Sequence, residues 1–197
     1  RRVRAPGGDI DAVLAVAEDD LDEGDQRDLG RSDQARPDGE QRQREAHLPD
    51  PERREDRPVV RSRSSEGRER RVLTLVVRLV TSLWFQGRFE EGLGLLLRYQ
   101  PRVDALGDPQ IAGEYYFWLS HIDAHIGDSA SVERFAARAM EEAERAGDDT
   151  TIGKVRYVLS REGFWTGRYA EGAEHGRAAV AALEASGEWW WLGHALL

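Results

Sequence analysis

LWFQGRFEEG at residues 83–92 and GFWTGRYAEG at residues 163–172 are one phrase written twice, eighty residues apart. The interval divides again, because Gly87, Gly127 and Gly167 are spaced by forty, and so are Gly107, Gly147 and Gly187. A fixed period between about 20 and 50 residues is the mark of a repeat architecture, in which each unit is one supersecondary element stacked on the next.

Within one period there are two helical patterns. Tyr115, Trp118, Leu119, Ile122 and Ile126 keep to one face of a first helix, and Val132, Phe135, Ala136, Ala139, Met140 and Ala143 to one face of a second. Gly127 separates them, Asp128 or Ser129 stands where the second needs a cap, and Gly147 stands where a helix commonly ends left-handed. Asp108 before Pro109, Asp148 and, more weakly, Glu188 repeat the start signal. The spacing thus predicts three helical hairpins over residues 71–106, 109–146 and 149–186, with EWWWLGHALL opening a fourth. The column Leu79, Leu119 and Leu159 reads as buried leucine. Tyr99, Ala139 and Ala179, with Gly92, Gly172 and Gly176, read as places where helices approach closely.

Composition divides the chain. All sixteen aromatic residues lie at or after Trp84, whereas residues 1–71 hold 16 arginines and 19 acidic residues. So charged a stretch buries too little apolar surface to offset chain entropy, and residues 1–70 are expected to be a disordered tail. An out-of-frame start in a GC-rich genome gives the same composition. DIDAVLAVAEDDLDE within it is long enough only for a marginal helix. Arg1 in the first position and Met140 as the sole methionine suggest a piece of a longer reading frame, truncated at its C-terminal end.

With no cysteine, thiolate chemistry, disulfides and cysteine-based zinc sites are excluded. No membrane span or secretory leader is legible, so a cytoplasmic location is expected. The net charge of -9 disfavours nucleic acid as a partner.

QGRFEEGLGLLLRY and TGRYAEGAEHGRAAVAAL resemble the tetratricopeptide repeat, in which a glycine, an aromatic and a small residue bracket the second helix. Gly87, Phe89 and Gly92, then Gly167, Tyr169 and Gly172, stand in those places. The period is forty in place of the family's 34, and Ser129 replaces the aromatic in the middle unit. Long, degenerate repeats of this kind are similar to those of large bacterial signalling and transcription regulators, where they form a helical arm beside an ATPase or cyclase domain. The resemblance implies an all-α, right-handed α-solenoid of about three hairpins over residues 71–197. It also implies that the first helices line a concave, partner-binding groove. Carried over column by column, the groove comprises Trp84, Phe85, Glu114, Phe117, His121, His125, Lys154, Tyr157, Arg161 and Trp165. Aromatic area with a few charges suits a protein or peptide partner.

Rival chemistry is sparse. His121 and His125, four apart with Asp128 beyond, form a possible metal set, although the glutamate of a zinc-protease helix is missing. No phosphate-binding glycine loop or cofactor fingerprint is present. The expected role is therefore non-catalytic protein binding, with a metal-dependent site or an architectural spacer as alternatives. Three successive tryptophans, Trp189 to Trp191, step by about 100° on a helix, so at least one must be exposed. An apolar C-terminal end open to self-association follows from the same pattern.

Overall fold

The computed structural model describes residues 63–197, together with Ala12 and Ala15, both helical. The chain divides into two compact units, Arg1–Arg68 and Glu69–Leu197, and the helical hairpins belong to the second. Of the expected tail over residues 1–70, residues 63–70 are helical; apart from Ala12 and Ala15 the rest of that reading lies outside the described residues.

Seven helices and no strand make up residues 63–197. They are α1 (Arg63–Phe85), α2 (Phe89–Leu106), α3 (Pro109–Ile126), α4 (Ser129–Ala146), α5 (Asp149–Trp165), α6 (Tyr169–Ser186) and α7 (Trp189–Ala195). None is long and apolar enough to cross a membrane. α1 begins at Arg63 and not at residue 71. A two-point ion pair from Glu69 to Arg102 of α2, at 2.6 and 3.1 Å, gives the charged start of α1 a partner on a neighbouring helix.

Two adjacent residues stop one helix and start the next. Gly87, Gly107, Gly127, Gly147, Gly167 and Gly187 all have φ between 65° and 96°, the left-handed conformation that a side chain resists. After four of them the following amide reaches back to the carbonyl five residues earlier. The four pairs are Arg88 to Leu83, Asp128 to Asp123, Asp148 to Ala143 and Glu188 to Leu183. Where the following residue is aspartate it also caps the next helix. Asp108 accepts from the amides of Gln110 and Ile111, Asp128 from Ser131, and Asp148 from Thr151. Glu188 precedes α7 in the N-cap place as expected, but makes no side-chain cap bond, its longer side chain being a poor match to the cap geometry.

From α2 onward each helix packs on its neighbours in sequence, with α3 laid along α4 and α5 along α6, and α3 also meets α5. α3 is the hub. Every residue from Tyr115 to Asp123 is buried, so this helix has no solvent face over more than two turns. That explains why Leu119 is buried while Leu79 and Leu159, at the same register in α1 and α5, are only half-buried. Tyr99, Ala139 and Ala179 are buried as the repeat column requires.

α5 and α6 come together on glycine. A Cβ on Gly163 would lie 2.7 Å from the Cα of Gly172 and 2.9 Å from its nitrogen, and one on Gly172 would lie 3.0 Å from the Ser160 carbonyl oxygen. Because the obstacle is backbone, relief requires the helices to separate. Gly163→Ala is expected to lose about 1–3 kcal/mol of stability by this overpacking. Gly94→Ala, in α2 with open space around it, should gain about 0.5–1 kcal/mol from helix propensity alone. Urea unfolding of both variants checks the pair.

Candidate functional site

The first helices of the three hairpins bring their aromatic and histidine side chains to one cluster, and α7 lies on it. At its centre His121 of α3 is wholly buried. Its ring stacks on Phe117 one turn away, with centroids 5.5 Å apart and planes within 13°, and meets Trp84 of α1 at 5.3 Å. Tyr157 of α5 lies at 6.1 Å and His125 edge-on at 4.8 Å. From α7, Trp191 stands edge-on to His121 at 5.2 Å and to Phe117 at 5.0 Å, and is itself only 5% exposed. Trp190 reaches Trp84 at 5.9 Å and Phe85 at 5.7 Å. Trp189 faces outward at 71% exposure, as the helical step requires. EWWWLGHALL thus does more than open a fourth unit: its rings return to the first helix.

Most of the residues expected in the groove meet here. Trp84, Phe85, Phe117, His121, His125, Tyr157 and Arg161 share the cluster, and Lys154 borders it, 5.7 Å from the Phe117 ring and 3.8 Å from the Glu114 carboxylate. Trp165 stands apart. It packs on Phe164 at 5.4 Å, is 70% exposed, and forms one wall of an open pocket of about 410 Å³ shared with Tyr157, Ser160, Arg161, Phe164 and His194. Asp128 does not join the histidine pair: it caps α4 from an exposed position. Among the described residues no three histidine or acidic side chains converge on a point that could hold a metal.

Trp190, Trp191 and His194 belong to the same aromatic cluster, and single-unit reasoning misses them. Phe89, stacked on His125 at 4.8 Å, belongs there too. The legible signal was the apolar run of Trp189 to Leu192; its landing place was not.

The polar atoms inside the cluster are unusually bare. Neither ring nitrogen of His121 nor the indole N–H of Trp84 has a hydrogen-bond partner. Burial therefore holds His121 far below the ordinary histidine range, and His125, Arg161 and His194 push the same way. His125 is also lowered, mainly by burial; the His121 carbonyl, 2.8 Å from its Nδ1, opposes this and Arg161 adds to it. Between the two histidines in sequence, burial raises the Asp123 carboxyl to about 6, with Asp128 adding to the effect and Arg134 opposing it.

No family model matches this chain, and no curated protein and no solved structure matches it.

A folded-state histidine held neutral binds fewer protons than the unfolded chain does, so its favourable contribution is complete above the usual 6.5 and is lost as pH falls below it. Phenylalanine keeps the stacking and removes the titration. The stability of His121→Phe relative to wild type should grow by about 1.4 kcal/mol for each pH unit below 6.5. Asp123 titrates in the opposite sense but equally in both proteins, so it cancels in the difference. Urea unfolding between pH 7.5 and 5 measures it, and a difference that stays constant contradicts an unpartnered buried His121.

Proposed function

We propose that residues 71–197 form a right-handed α-solenoid of tetratricopeptide-like hairpins that binds a short aromatic helix of a protein partner and carries no catalysis of its own. The forty-residue period, the glycine and aspartate punctuation and the neighbour-to-neighbour packing support the architecture. The resemblance to regulator arms supports placing the module in a larger signalling or transcriptional protein.

The observation that carries the reading is α7. A seven-residue helix with no side-chain cap and an internal glycine has little stability of its own. It is held by what it touches: Trp191 and Leu192 are buried while Trp189 and the C-terminal leucines stay exposed. The face on α1, α3 and α5 thus accepts an aromatic-leucine helix, and α7 occupies it as a tethered stand-in for one. Grooves that take an amphipathic helix commonly read it through a few such anchors.

A tethered occupant competes at an effective concentration on the order of millimolar, so the face should bind a second such helix only when α7 is weakened. A fluorescent peptide of residues 188–197 should bind saturably to the Trp191→Ala chain and at least tenfold more weakly to wild type, read by anisotropy. The same peptide with its Trp191 position changed to alanine serves as control. A purely architectural spacer would bind neither peptide, and equal affinity of wild type and variant would remove the competition on which the proposal stands.

A further inference from the structure

We infer that the pocket between α5 and α7 is a binding site for a carboxylate carried on an aromatic body, with Arg161 as the anion-binding group. This site needs α7 in place, because His194 forms one wall, and its existence does not rest on the docking of a second helix.

Arg161, like Arg156 on the same helix, meets a histidine ring and no carboxylate, whereas other cations of this region are paired. Lys154 lies 3.8 Å from Glu114, Arg138 and Arg145 both clasp Glu142, and Arg168 pairs with Glu133 and Glu171. Arg161 is half-buried and has no carboxylate partner among the described residues, although acidic side chains outnumber basic ones in the chain. A desolvated guanidinium without an anion is a poor structural element and a good recognition element.

It is also held in position. With Nδ1 of His125 donating to the His121 carbonyl at 2.8 Å, Nε2 is left as an acceptor, and Arg161 Nη1 lies 3.4 Å from it. The depressed basicity of His125 keeps that lone pair free at neutral pH. One of five guanidinium N–H groups is so engaged, and the group lines the pocket with the others to spare. His125 is therefore a positioning residue for Arg161.

The walls specify the rest of the ligand. Tyr157 lies under the guanidinium at 5.8 Å, and Phe164 and Trp165, 60% and 70% exposed, offer open ring faces beside it. Among the described residues no aspartate or glutamate lines the pocket, which Leu197 also borders. About 410 Å³ suits a body of one or two rings.

The matched probes are indole-3-acetate and indole-3-acetamide, which differ only in charge at the head group, titrated into the full chain by calorimetry. The acid should bind saturably, at least tenfold more tightly than the amide, and with 1:1 stoichiometry. Arg161→Gln should abolish that preference, leaving acid and amide alike. His125→Phe should weaken the acid several-fold and leave the amide unchanged, an effect that a general loss of packing would not produce. Trp165→Ala, at an exposed position, should weaken both probes and tests the wall even if Arg161→Gln proves poorly folded. Equal affinity of acid and amide for wild type, binding of neither, or full acid preference in Arg161→Gln overturns the inference.

Discussion

Burial of α3 on every side is the constraint from which the rest of this unit derives. A helix enclosed from Tyr115 to Asp123 must place its polar atoms inside, and each is handled differently. Tyr115 donates its hydroxyl proton to the Leu96 carbonyl of α2 at 2.5 Å, and Ser120 donates to the Val132 carbonyl of α4 at 2.9 Å. These two bonds tie the hub to the helices before and after it. A buried hydroxyl with a partner contributes modestly, whereas one without a partner is expensive, so both bonds fix the register of the hairpins as well as their proximity.

His121 is the hub residue for which no such partner is supplied. Its neutrality is a consequence first of its burial, with His125, Arg161 and His194 pushing the same way. Rings on all sides replace the missing hydrogen bonds with stacking and edge contacts, which is a weaker but less directional form of support. Such a surround tolerates exchange of one ring for another, and α7 exploits this by inserting Trp191. The same arrangement leaves Arg161 and His125 at the border between the closed cluster and the open pocket, so apolar rings and a guanidinium lie side by side.

Hairpin boundaries were legible because they are local. A glycine at a left-handed position, followed in three of six cases by a capping aspartate, determines where one helix ends and the next begins, and repetition at twenty-residue intervals removes ambiguity. Close packing at Gly172 and Gly176 was legible for a similar reason, since small residues recur on one face. Azimuth was harder. Leu79, Leu119 and Leu159 share a register but not an environment, because only α3 is flanked by helices on all sides, and no single-helix pattern carries that information. Trp191 was legible as apolar and as one of three rings that cannot share a face; its contact with Phe117, some seventy residues earlier in the chain, depends on how the helices pack together. His125 reads from the sequence as half of a metal pair, and its observed role, an acceptor for Arg161, is visible only with α3 and α5 side by side.

α7 closes onto the face formed by α1, α3 and α5, and an interproton measurement reads this closure directly. In the assigned NMR spectrum of the chain, nuclear Overhauser contacts should connect the Trp191 ring with Phe117 and the Trp190 ring with Trp84, whose centroids lie 5.0 and 5.9 Å apart. Their presence would establish that residues far apart in the chain share one cluster. Helical chemical shifts for residues 189–195 with no contact to either ring would contradict it, placing α7 off the face and leaving the groove open.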